Sequence, residues 1–357
     1  MIKYLGSKRL LVGVLGDIAR TVGASTALDL FTGTTRVAQE LKSRGLHVTA
    51  ADVASYSGVF SDCYVATDAD TVDRAELRAV LDELGALPGV RGYVTETFCE
   101  AARYFQPHNG MRIDAIRDRI EDQYAASPLR PILLTSLLDA ADRVDSTTGL
   151  QMAYLKSWAP RSYEDLTLRE PELLAGPGRT VVGDAAETAR STSRVDLAYL
   201  DPPYNQHRYF TNYHVWETLV RWDAPEHYGI ACKRIDARDE ATKSRFNRKR
   251  EMPQALAELI ASVDAETVVV SYNDESWVTP EQMTGWLLAA GHEEVGVLAF
   301  DAKRYVGAQI GIFNGAGKKV GEVKKLRNTE LVFVAGPKEK VAAAVSASGQ
   351  VLAPQKR

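Results

Sequence analysis

The apolar run Thr26-Ala27-Leu28-Asp29-Leu30-Phe31 is short and nearly continuous, the pattern of a buried strand. Thr32-Gly33-Thr34 then reads as a turn. Val37, Ala38 and Leu41 recur at helical spacing until Gly45 stops the pattern. His47-Val48-Thr49-Ala50-Ala51-Asp52 is the next strand. Two strands joined by one helix predict a right-handed βαβ unit of the nucleotide-binding kind.

From Gly58 to Gly178 the pattern changes to helices over Asp70 to Leu84, Thr95 to Phe105, Arg112 to Tyr124 and Pro131 to Val144. Ser157 to Gly178 reads as loop, punctuated by Pro160, Pro171 and Pro177. Strand patterns then return at Thr180–Gly183, Val195–Leu200, Thr267–Tyr272, Glu294–Phe300 and Glu330–Ala335. With the first two, seven strand candidates flank a helical insertion. The predicted division is residues 1–59 and 180–337 as one discontinuous domain, 60–179 as an inserted helical lobe, and 338–357 as a tail adding little to the core.

Composition narrows the function class only slightly. The chain has 357 residues, 45% hydrophobic and 25% charged, as ordinary globular proteins do. A net charge of −4 gives no global nucleic-acid signal, so any such surface must come from local clusters of cations. Cys63, Cys99 and Cys232 are scattered and odd in number, which suits neither a zinc site nor a disulfide framework. The start of the chain lacks a signal-peptide apolar core, and no stretch is long and apolar enough to span a bilayer. The expectation is a cytoplasmic protein with no membrane partner and no metal.

The chemistry concentrates at Asp201-Pro202-Pro203-Tyr204, directly after the strand ending at Leu200. Ligands of open α/β sheets bind at the carboxyl ends of strands. Two prolines fix φ and carry no N–H, which leaves a rigid loop of acceptors closed by an aromatic ring. An amino group on a nucleobase is a poor nucleophile, because its lone pair is delocalised into the ring. The Asp201 carboxylate and the Pro202 carbonyl can each accept one of its N–H bonds, favouring the pyramidal nitrogen that attacks a methyl group. Tyr204 can stack on a base taken out of a duplex. The plainer reading, a proline-ended strand with a packed ring, explains none of this chemistry.

In this context the chain resembles the Dam-like, amino-group DNA adenine methyltransferases over nearly its full length. Tyr4-Leu5-Gly6-Ser7-Lys8-Arg9 resembles their N-terminal motif, Leu28 through Thr34 their cofactor loop, and Ala51-Asp52 their acidic strand end. Asp201 through Trp222, including His207-Arg208-Tyr209-Phe210 and Trp216-Glu217-Thr218-Leu219, looks like the adenine methylases that accompany type IIS restriction enzymes, as does Ser271-Tyr272-Asn273-Asp274-Glu275. The resemblance implies a Rossmann-like, seven-stranded, mainly parallel methyltransferase sheet with helices on both faces, an inserted target-recognition lobe, and S-adenosylmethionine as cofactor. It also implies double-stranded DNA as partner, methylation at the adenine 6-amino group, and a restriction-modification or epigenetic setting with a companion endonuclease.

Each implied cofactor residue has a physical reading beside a plainer one. Asp29 ends a strand and can hold the methionine ammonium or support the loop. Phe31 belongs to that loop, and Gly33 lets backbone approach the ligand. Asp52, 23 residues after Asp29, can accept both ribose hydroxyls. Lys8 offers a cation to the methionine carboxylate, and Tyr4 can pack against the cofactor. Asp184 resembles the place where the family holds the cofactor's adenine, although a surface acid reads nearly as well there. The single glycine of the loop argues against a dinucleotide pyrophosphate.

Two stretches are locally basic. Lys233, Arg234, Arg238, Lys243, Arg245, Arg248, Lys249 and Arg250 follow the catalytic motif, and Lys303, Arg304, Lys318, Lys319, Lys324, Lys325 and Arg327 lie in a glycine-rich loop or hairpin. Such runs are more often solvated faces, but beside a DNA-modifying motif they are candidates for phosphate contacts, with Lys233, Arg234, Arg245, Arg248, Lys249, Arg250, Lys318 and Lys319 foremost. Arg103, Tyr104, His108, Asn109 and Arg112 are of types suited to groove contacts. No Cys stands in a Pro-Cys loop, as ring-carbon methylation of cytosine would need. The competing readings are RNA adenine or the cytosine 4-amino group as acceptor, and a DNA-binding specificity protein without catalysis.

Overall fold

The computed structural model describes residues 2–4, 8, 10–203, 206, 208–274, 276–303, 312–313, 319–321 and 327–348. All seven strand candidates are strands of one sheet: β1 Thr26–Asp29, β2 His47–Asp52, β3 Gly178–Val182, β4 Val195–Leu200, β5 Ala265–Asn273, β6 Glu294–Lys303 and β7 Arg327–Gly336. Their order is β3-β2-β1-β4-β5-β7-β6. The β1–β2, β1–β4 and β4–β5 pairs are parallel, whereas β7 runs antiparallel to both β5 and β6. β5 is buried along almost its whole length, which accounts for its unbroken Val-rich run.

By internal contacts the chain divides into two compact units. One comprises Gly6–Asp52, Gly183–His207 and Ser244–Arg357 and carries every strand of the sheet except β3. In it the helix Arg36–Ser43 buries Val37, Ala38 and Leu41, as its spacing predicts, and Gly45 ends the pattern at φ +90°, a conformation glycine adopts without strain. Asp196 fastens the start of β4 to the start of β1. Its Oδ2 accepts from Ser25 N, Ser25 Oγ, Thr26 N and Thr26 Oγ1 at 2.7–2.9 Å. Those donors hold its pKa well below the ordinary carboxylate range. Asp196→Ala is therefore expected to cost about 1.5–2 kcal/mol, the lower end of the scale for bonds to a charged acceptor because solvent screens this partly exposed group, read as a lower midpoint in urea. Because the folded-state pKa is depressed, this stabilisation is present at neutral pH and lost only as pH falls through the acidic range.

The segment after Pro337 corrects the expectation of a tail outside the core. Lys338–Ala347 is a helix that buries Val341 and Ala344. Gly296 of β6 makes room for it, since a Cβ there would stand 2.4 Å from Val345 Cγ2.

The other unit comprises Met1–Leu5, Val53–Val182 and Arg208–Lys243. Its helices Arg74–Ala86, Pro107–Tyr124 and Arg130–Val144 surround a core that includes Phe98, Ile116, Leu137 and Trp216. The predicted helix from Thr95 is a wide, π-type turn over Thr95–Ala101. Arg208–Lys243, which the sequence pattern groups with the sheet, packs within this unit. It contains a small antiparallel hairpin of His227–Tyr228 and Lys233–Arg234. A second short pair, Ile312–Phe313 with Lys319–Gly321, falls in the glycine-rich stretch expected to be a loop or hairpin. Among the described residues, no helix is long and apolar enough to cross a membrane.

Candidate active site

Parallel pairing brings three acids to one edge of the sheet. β1 lies between β2 and β4, with Asp29 in register with Ala50 and Tyr199, so Asp29, Asp52 and Asp201 all arrive at carboxyl ends. Backbone bonds continue the alignment past the strands: Leu30 N donates to Tyr199 O at 3.2 Å, and Thr32 N to Ala51 O at 3.1 Å.

Asp201 follows β4 immediately and is mostly buried. Lys8 Nζ lies 3.1 Å from its Oδ1 and 3.2 Å from Glu330 Oε2. Burial pushes the Asp201 pKa up to about 6, Lys8 draws it back, and the Glu330 carboxylate raises it. Pro202 is buried and Pro203 half-buried beside it. Tyr204 lies outside the described residues.

Asp29 is 1% exposed, and neither carboxylate oxygen completes a hydrogen bond of ordinary geometry among the described residues. Burial foremost, then the charges of Asp201 and Asp52, push its pKa up to about 7, although the nearby Thr32 hydroxyl and Phe31 backbone draw it partly back. A buried carboxyl left without a full partner is costly unless something cationic or hydrogen-donating meets it. This is the observation by which the site fits an ammonium-bearing cofactor.

The loop between β1 and the following helix is held in a strained shape. Gly33 has φ +53°, and its N–H donates to Asp52 Oδ2 at 2.9 Å. Thr35, a β-branched residue, sits at φ +61° and is fully buried. A left-handed threonine is uncommon and needs its surroundings to hold it. Gln39 Nε2 donates to Thr35 Oγ1 at 2.8 Å and helps to do so. Phe31 packs edge-on against Phe246 at 5.2 Å between ring centroids. Asp184 Oδ1 accepts from Ala186 N and Glu187 N, the bonds of a helix cap.

Tyr4 stacks at 4.7 Å on Tyr213 in an aromatic cluster of the helical unit that also holds Tyr56, Tyr209 and Trp216. Arg234 corrects the expectation of a phosphate contact: it is 1% exposed, and its guanidinium is clasped by Asp223 and Asp236 at 2.7 and 2.8 Å. It is an internal strut, and its charge is spent within the fold. Lys233 is half-buried, and burial lowers its pKa. Arg245 pairs with Glu258 and Arg248 with Glu251 on the surface, while Lys249 and Arg250 are exposed. Lys318 and the side chain of Lys319 lie outside the described residues. In the inserted lobe, Tyr104 and Asn109 are core rather than groove residues, bonded to Gln151 O at 2.6 Å and Glu164 O at 2.9 Å respectively.

Sequence reasoning misses Glu330. It reads as an ordinary acid near the start of a strand, and no local pattern distinguishes it. Antiparallel entry of β7 places its first residues at the same edge where β5 ends, with Glu330 opposite Asn273.

A family model described as D12 class N6 adenine-specific DNA methyltransferase matches residues 4–285. The Type II methyltransferase M.NlaIII of Neisseria lactamica is 30% identical over 296 residues, which cover 78% of this chain and 86% of that protein. The Type II methyltransferase M.CviAII of Paramecium bursaria Chlorella virus 1 is 30% identical over 307 residues, covering 82% and 90%. The modification methylase StsI of Streptococcus sanguinis is 29% identical over 306 residues, 80% of this chain but 46% of that longer protein.

Proposed function

The chain belongs to the D12 class N6 adenine-specific DNA methyltransferases, and on that footing we propose that it methylates the 6-amino group of adenine at a specific site in double-stranded DNA, with Asp201 and the Pro202 carbonyl as acceptors for the two amino hydrogens. The observation that carries this reading is Asp201 itself: a carboxylate at the carboxyl end of β4, tethered through Oδ1 to Lys8. S-adenosylmethionine, when bound, supplies an electrophilic methyl group on a sulfonium centre. Asp29 would meet its ammonium, which suits a buried carboxyl without a complete hydrogen bond. Asp52 fixes the loop through Gly33 N and stands where ribose hydroxyls are accepted in sheets of this topology.

An amino group paired inside a duplex cannot reach a loop at a strand end, so the adenine must leave the stack. Tyr204, next in sequence after Pro203, is the ring assigned to hold it. The modification setting of the relatives suggests a companion restriction endonuclease. Sequencing the methylated positions in DNA from cells expressing the chain tests the whole reading: N6-methyladenine within one short motif supports it, and unmodified adenine with methyl-cytosine instead would overturn it.

Lys233, Arg245, Arg248, Lys249, Arg250, Lys318 and Lys319 stay candidates for phosphate contact, and the consecutive Arg248, Lys249 and Arg250 form the set to vary together. Reversing all three to Glu is expected to weaken DNA binding on every sequence and to flatten its salt dependence, the slope falling by up to about 0.9 for each phosphate no longer neutralised. Arg248 contributes least if its pairing with Glu251 persists. An unchanged slope in a titration at several salt concentrations would show these cations to be a solvated face.

A further inference from the structure

We propose that Glu330 is a positioning residue for methyl transfer, sharing Lys8 with Asp201 so that the ammonium stays on Asp201 Oδ1 and the other carboxylate oxygen is left to the substrate amino group. The inference rests on the reading of Asp201 as the amino-group acceptor. Glu330 lies beyond the family match, which ends at residue 285.

The geometry is that of a shared cation. Lys8 Nζ stands 3.1 Å from Asp201 Oδ1 and 3.2 Å from Glu330 Oε2, with Lys8, Asp201 and Glu330 side chains 6%, 18% and 17% exposed. A lysine on its flexible stem gives up much rotamer freedom to hold a single contact. Two acceptors together define where its ammonium rests. Among the described residues they also leave one cation for two carboxylates, beside Asp29 and Tyr199, whose own ionisation responds to the charge of Asp201, and Asp52 beyond Asp29. Glu330 therefore acts on Asp201 in two opposed ways. Its charge disfavours the Asp201 carboxylate, while its hold on Lys8 keeps the favouring cation in place.

Two variants separate these effects. Glu330→Gln keeps an oxygen for Lys8 but removes the charge. Its single-turnover methylation rate at pH 8 is expected within about threefold of the unaltered enzyme, with the acid limb of the pH profile moved to lower pH, because a charge that raised the Asp201 pKa is gone. Glu330→Ala removes the hold and is expected to slow the step at least about tenfold at every pH, as misplaced reacting groups do. Affinities for S-adenosylmethionine and DNA should stay within about twofold, and thermal melts guard against misfolding. Asp201→Ala is measured alongside. Activity retained in Asp201→Ala would overturn the reading of Asp201 itself. A slow Asp201→Ala with an unaltered rate and pH profile in Glu330→Ala would overturn only the role of Glu330. A Gln variant as slow as Ala, or cofactor binding that weakens in proportion to rate, would overturn it equally.

Discussion

Asp201→Ala should lower the single-turnover rate of adenine methylation by about 10²–10³-fold or more, the loss seen when one strong transition-state acceptor is removed. The effect should fall on the chemical step. Asp201 does not need to contact DNA phosphates, so DNA affinity should change little, and a drop in rate constant without a matching rise in KM is the signature of an interaction made in the transition state. The pH dependence follows from the same residue. Burial raises its pKa to about 6, and only the ionised carboxylate accepts the amino hydrogen without competing as a donor. Methylation by the unaltered enzyme is therefore expected to fall as pH drops through this region. A rate within roughly tenfold of the unaltered enzyme in Asp201→Ala would remove Asp201 from the chemistry.

Lys8→Met should have the next largest effect, about 10²-fold at neutral pH, for a reason peculiar to this site. Met preserves the apolar stem but removes the cation that lies within 3.2 Å of both Asp201 and Glu330. Two mostly buried carboxylates are then left without their shared cation and with Asp29 nearby, an arrangement that cannot keep every member ionised. The sign is fixed: losing a positive neighbour raises the Asp201 pKa, so the acid limb of the pH–rate profile must move to higher pH. Activity should recover partly as pH is raised. If Lys8 instead serves only the methionine carboxylate, calorimetry will show weaker S-adenosylmethionine binding while the acid limb stays where it was. The two outcomes are read from the same protein preparation.

Both experiments turn on groups whose types are legible in the chain and whose partners are not. Asp201-Pro202-Pro203-Tyr204 is where the sequence places the expected chemistry, because two prolines after an apolar strand make a rigid loop of acceptors. Lys8, by contrast, reads as a partner for a cofactor carboxylate, and the structure sets it between two protein carboxylates. Arg234 reads as a phosphate contact within a run of cations, yet it is an internal strut between Asp223 and Asp236. A basic run gives charge but not direction, and in a two-residue strand neighbouring side chains point to opposite faces.

Local causes account for the seven sheet strands, the helix that buries Val37, Ala38 and Leu41, and the place of the acids at strand ends. Continuous apolar runs demand burial on both faces, helical spacing demands one buried side, and glycine tolerates the left-handed turn at Gly45. The strand order, the reversal of β7 and the docking of Lys338–Ala347 over Gly296 come only from packing across the whole chain. So does the meeting of residue 330 with residues 8 and 201. Strand order and direction are set by which faces and edges pack together over hundreds of residues. No local pattern around Glu330 records that its strand enters the sheet from the edge where β4 ends.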